Sequence, residues 1–96
     1  MTDIYKYIEL IQKRVEGFMA CKDYECMDMH LASLIIASEN LARLGIKEAV
    51  IVKKNLRKLK IKVEKENITL DDAKKKFEHI VKELVFVVKE LKEKSL

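Results

Sequence analysis

Residues 47–65, K-E-A-V-I-V-K-K-N-L-R-K-L-K-I-K-V-E-K, decide the fold. Ala49, Val52, Leu56, Leu59 and Val63 recur at alternating spacings of three and four. That is one face of an α-helix, because residues three or four apart lie above one another at about 3.6 residues per turn. Within it, residues 53–62 hold six basic side chains (Lys53, Lys54, Arg57, Lys58, Lys60, Lys62) and no acid. On a helical wheel Lys54, Lys58, Lys62 and Lys65 fall opposite the apolar stripe, with Lys53, Arg57 and Lys60 on one flank. Ile51 and Ile61 sit among the outer lysines. One segment therefore predicts a core-facing helix with a basic outer surface.

The same reading extends in both directions. Towards the N-terminus, Ile4, Ile8, Ile11, Val15 and Phe18, joined by Tyr7, predict a helix from about Asp3 to Ala20, with Thr2 suited to its N-cap. Asp23 suits the N-cap of a second helix, about Tyr24 to Leu44, whose inner face is Tyr24, Met27, Leu31, Leu34, Ser38 and Leu41. Gly45 then fits a left-handed C-cap with Ile46 folding back. The basic helix runs from about Lys47 to Lys65, and Asn67 offers a second stop. T-L-D-D (Thr69 to Asp72) reads as a capping box with Asp in place of Glu. It opens a fourth helix, about Leu70 to Glu93, with Ala73, Phe77, Ile80, Leu84, Val88 and Leu91 inward.

The chain has 96 residues, no proline and two glycines, Gly17 and Gly45. A β-rich fold needs many turn residues, so this composition argues for a few long helices. The expectation is one all-α domain over residues 1–96, an antiparallel up-down-up-down four-helix bundle. The rival is a pair of long helical hairpins that complete their core as a dimer. Charged residues make up 38% of the chain, with one glutamine and three asparagines. That Lys/Glu-rich, amide-poor balance is the one favoured in thermophiles.

Net charge is +4. Residues 1–46 carry five basic and seven acidic side chains, a net of −2, and residues 67–96 carry seven and six. Residues 47–66 carry eight and three, a net of +5. The field is polarised towards the third helix, which suits phosphates or acidic protein surfaces. Lys53, Lys54, Arg57, Lys58, Lys60 and Lys62 are thus candidates for contact with nucleic acid or an acidic partner. One arginine and no aromatic residue in this helix argue against base-edge reading and single-strand stacking. Any DNA or RNA contact is expected to be non-specific.

Helices two and four have more apolar positions than one core requires. At about 100° per residue, Met29, Ala32 and Ile36 fall on the back of helix two. Val85 falls on the flank of helix four, and Phe86 on its back beside His79. Met29, Ile36, Val85 and Phe86 are therefore candidate partner-binding residues. The partner is expected to be a larger protein or a second copy of the chain.

Chemistry is sparse. Cys26 and His30 are four apart on one helix, with Cys21 in the preceding turn, and thiolate and imidazole can hold a transition metal. The Cys21 to Cys26 spacing is unlike a zinc knuckle, and a fourth ligand is lacking. A hydrogen-bonded structural histidine is simpler, so neither a metal nor a Cys21–Cys26 disulfide is expected. There is no Glu-x-x-His pair for a di-metal bundle, no Gly-rich phosphate loop and no Ser/His/Asp set. No cofactor and no enzymatic activity are expected.

The opening M-T-D-I-Y lacks the basic n-region of a secretory signal, and the uncharged runs are too short to span a bilayer. A cytoplasmic protein without membrane contact is the expectation. In size and Lys/Glu-rich helical composition the chain resembles small accessory subunits of archaeal nucleic-acid machines. That likeness implies a non-enzymatic interaction module docking on a larger assembly. A non-specific nucleic-acid binder acting through the basic face of helix three is the alternative.

Overall fold

Four helices make up the described residues of the chain: α1 (Ile4–Ala20), α2 (Tyr24–Arg43), α3 (Lys47–Glu64) and α4 (Leu70–Lys94). The structure is a computed structural model that describes residues 4–94, with side-chain placement for residues 5–90 and Glu93. The proposed Thr2 cap and the inward placement of Leu91 lie outside that description. Each helix packs chiefly on its neighbours in a ring: α1 on α2, α2 on α3, α3 on α4 and α4 back on α1. The body measures 40 × 21 × 20 Å. Its long axis matches the roughly 37 Å expected of the 25-residue α4, so the helices define its length and their shared interior forms the core.

The stripe in the opening segment is the wall of that core. Ala49, Val52, Leu56, Leu59 and Val63 are all buried. Opposite them lie Met27, Leu31, Leu34, Ser38 and Leu41 of α2, along the most extensive seam in the bundle. Ile8, Ile11 and Phe18 come from α1, and Ala73, Phe77, Leu84 and Val88 from α4. The rings of Phe18 and Phe77 stack with centroids 3.9 Å apart, joining α1 to α4. One inward assignment on α4 needs correcting. Val81 is fully buried, whereas Ile80 is half-buried and packs from the edge. Val81 follows Phe77 at a spacing of four and precedes Leu84 by three, so Ala73, Phe77, Val81, Leu84 and Val88 make one continuous stripe with Ile80 at its edge.

Local chemistry sets the ends. The Asp23 carboxylate accepts a hydrogen bond from the Cys26 backbone N–H at 2.7 Å and starts α2. The Thr69 hydroxyl accepts from the Asp72 N–H at 3.1 Å and starts α4. Gly45 stops α2 with φ 94°, and the Ile46 N–H reaches back to the Leu41 carbonyl at 3.2 Å. The stop after α3 falls on Glu66 (φ 53°), one residue before the asparagine that the sequence favours. Asn67 instead donates its N–H to the Lys62 carbonyl at 3.0 Å and closes the motif. The Tyr24 hydroxyl donates to the Ile68 carbonyl at 2.6 Å, tying the start of α2 to the α3–α4 turn. Among the described residues no helix is long and apolar enough to cross a membrane.

Candidate functional site

The six basic residues of 53–62 do not form one face. Lys58 and Lys62 line a groove between α3 and α4. Lys54 and Arg57 are exposed elsewhere on α3. Lys53 is half-buried, and so is Lys60, which is withdrawn from the basic surface. The Lys60 Nζ pairs with the Asp28 carboxylate of α2 at 3.0 Å and with Glu64 one turn on. Those partners, Glu64 first and Asp28 next, raise its pKa above the ordinary lysine value. Lys60 is a tie between α2 and α3, because its flank of the helix faces the α2 seam.

The groove itself has a volume of about 500 Å³ and is lined by Asn55, Lys58, Leu59 and Lys62 of α3 and by Lys75, Lys76, His79 and Ile80 of α4. Leu59 and Ile80 make its floor apolar, while four lysines and a histidine surround it. Among the described residues no acid lines this stretch. Lys62 and Lys76 come close enough for the Lys76 ammonium to hold the Lys62 pKa below its ordinary value. The groove continues past Lys62, Lys75 and Lys76 to Asn67, Thr69 and Asp72, where α4 begins. Asp72 is the first acid met along it.

Lys75 and Lys76 are the residues the sequence reading missed. The signal was present as K-K-K at 74–76 followed by His79. It was diluted by the acids of α4, which leave that region nearly neutral overall. Only the packing of α4 on α3 places Lys75, Lys76 and His79 beside Lys58 and Lys62.

The apolar candidates are placed as follows. Met29 and Ile36 are 60% and 61% exposed on α2, and Phe86 is 63% exposed on α4. Val85 is half-buried and packs against the core, so it offers little free surface. Because α2 and α4 lie across the ring from one another, these residues form two separate spots and do not merge into one patch.

The cysteines overturn an expectation. Cys21 and Cys26 are joined in a disulfide, with Cα atoms 5.7 Å apart. The Asp23 cap explains how: it turns the chain between α1 and α2 so tightly that the two side chains meet. His30 stands one helical turn beyond Cys26, and ligand atoms of all three residues lie within 4.8 Å of one another. The His30 ring rests on α1 at Gly17, where a Cβ would lie 2.5 Å from its Cε1 and 2.8 Å from its Nε2. Its Nδ1 is buried without a hydrogen-bond partner among the described residues, contrary to the hydrogen-bonded histidine that the sequence favours. Burial, and then the charge of Arg14, lower its pKa below the ordinary histidine value. Gly17 of α1 is the seat of this ring.

No protein-family model matches the sequence, and neither a curated protein nor a solved structure matches the chain. The lysine groove and the cysteine–histidine cluster are the two places in the fold whose chemistry bears on function.

Proposed function

We propose that the chain is a non-enzymatic interaction module, an accessory subunit that docks on a nucleic-acid-bearing assembly by laying its α3–α4 groove on the phosphate backbone. The observation that carries this reading is the convergence of Lys58, Lys62, Lys75 and Lys76 from two helices around one groove. Two ammonium groups held side by side, as Lys62 and Lys76 are, repel until an anion lies between them. Lysine is a point charge suited to phosphate oxygens, whereas planar carboxylate recognition favours arginine. Among the described residues no Phe, Tyr, Trp or Arg side chain lines the groove, which fits sequence-independent contact.

The test is fluorescence anisotropy of a labelled mixed-sequence DNA duplex against salt. Four lysine–phosphate contacts give log K a slope of roughly −3 to −4 against log salt, the same for unrelated sequences. No binding at low salt refutes the reading. Met29, Ile36 and Phe86 support a second contact, with the protein part of that assembly or with another copy of the chain. Being two separated spots, they suit a chain lodged between neighbours better than a closed pair. Sedimentation of the pure chain as a monomer excludes the second-copy version.

A further inference from the structure

We infer that Cys21, Cys26 and His30 form a redox-gated site for a thiophilic divalent cation of the zinc class, closed while the cysteines are joined and open once they are reduced. Three features of the cluster carry this beyond coincidence of sequence spacing. The donor atoms converge, with every pair within 4.8 Å. Tetrahedral zinc holds thiolate sulfur at about 2.3 Å and imidazole nitrogen at about 2.0–2.1 Å, so its ligand atoms stand roughly 3.5–4 Å apart. Parting the sulfurs and drawing in the imidazole asks for side-chain rotation over a backbone already set. Cys26 and His30 are one turn apart on α2, and the capped turn presents Cys21 to them.

The second feature is the seating of His30. Gly17 gives up its Cβ to admit the ring, and a methyl group there would overlap it. The third is the unpartnered Nδ1 of that ring, a buried polar atom of the kind that a hydrogen bond or a metal ordinarily satisfies. Electrostatics agree. Cys26 lies in the first turn of α2, where the helix terminus favours a thiolate. Two thiolates neutralise a divalent ion, so the nearby Arg14 meets no added positive charge. Three protein ligands leave the fourth tetrahedral position to water.

Opening the site consumes two electrons and two protons. A dithiol reductant supplies them: one of its sulfurs attacks a cysteine sulfur, its second sulfur resolves the mixed disulfide, and it leaves oxidised as its own disulfide. Cys21 and Cys26 are then thiols. Cation binding releases their two protons to solvent as both sulfurs ligate. Closure runs by the reverse exchange with an oxidised disulfide reagent: one cysteine sulfur attacks it, the other cysteine resolves the mixed disulfide, the reagent leaves as its dithiol, and the cation is expelled as both sulfurs are lost to it. The site is independent of the lysine groove and stands whether or not the chain binds nucleic acid.

The experiment titrates the full chain with Co2+ as a spectroscopic stand-in for Zn2+, once oxidised and once after reduction with a phosphine that is then removed. The reduced chain is expected to take up one Co2+, showing a sulfur-to-cobalt charge-transfer band and the visible bands of a tetrahedral site, both bleached by Zn2+. The oxidised chain is expected to show neither. Cys26→Ser should weaken binding by at least about 100-fold and His30→Gln by at least about tenfold, with circular dichroism verifying the fold of each. A second readout needs no variant: Zn2+ should slow alkylation of both thiols in the reduced chain. Absence of the charge-transfer band in the reduced chain, its survival in Cys26→Ser, or alkylation rates indifferent to Zn2+ would each overturn the proposal.

Discussion

Replacing Gly17 with alanine should reverse its effect on stability according to whether His30 is present. In an ordinary helix the change is favourable by about 0.5–1 kcal/mol, because alanine loses less backbone freedom on folding. At this position the new Cβ would lie 2.5 Å from the His30 Cε1, 2.8 Å from Nε2 and 3.1 Å from Nδ1. Overfilling a packed site costs about 1–3 kcal/mol. Gly17→Ala alone is therefore expected to destabilise the chain by up to about 2 kcal/mol. In a His30→Ala background the obstruction is gone, and the same change should stabilise by about 0.5–1 kcal/mol. The coupling across the cycle is then about 1–3 kcal/mol. Urea unfolding followed by far-ultraviolet circular dichroism, with the cysteines kept oxidised, measures all four corners. Additive effects, with Gly17→Ala stabilising in both backgrounds, would refute the placement of the ring on α1.

Three further outcomes follow from the same packing. The two left-handed helix ends should respond oppositely: Gly45→Ala should cost about 1–2 kcal/mol, since φ is 94° there, while Glu66→Gly at φ 53° should be neutral or stabilising by up to about 1 kcal/mol in thermal melts. Reducing Cys21–Cys26, five residues apart, should lower stability by about 2 kcal/mol, the loop-closure value for so short a loop, as read from urea midpoints with and without reductant. The lowered His30 pKa means that the unfolded chain holds more protons than the folded one just below the ordinary histidine value. Stability should thus fall as pH drops from about 6.5 through the folded pKa, and His30→Gln should flatten that slope in melts across the range.

The sequence carried the fold because its signals agreed with one another. The stripe from Ala49 to Val63, the Asp23 and Thr69 caps and the Gly45 stop each act within one helix, where periodicity and capping rules apply. The site was less legible because its parts belong to different helices. Lys58 and Lys62 could be seen from α3 alone. Their companions Lys75 and Lys76 needed the α3–α4 packing, and Lys60 left the set only because Asp28 faces it across the α2 seam. The disulfide was missed for a related reason. A spacing of five residues is ambiguous until the turn is known, and the tightness of this turn depends on the Asp23 cap. Gly17 carried no visible signal, since its role depends on a ring thirteen residues further on.

The most direct test of the groove compares two charge reversals of equal size. Lys62→Glu with Lys76→Glu alters the groove, while Lys54→Glu with Arg57→Glu alters exposed α3 surface outside it. Both doubles change the net charge by the same amount, so long-range attraction falls alike in each. Anisotropy titrations with duplex DNA at one fixed low salt concentration should show the groove double weakened by about 100-fold or more and the outer double by about tenfold or less. Equal losses in the two variants, or a greater loss in the outer one, would contradict the claim that the groove is where this chain meets its partner.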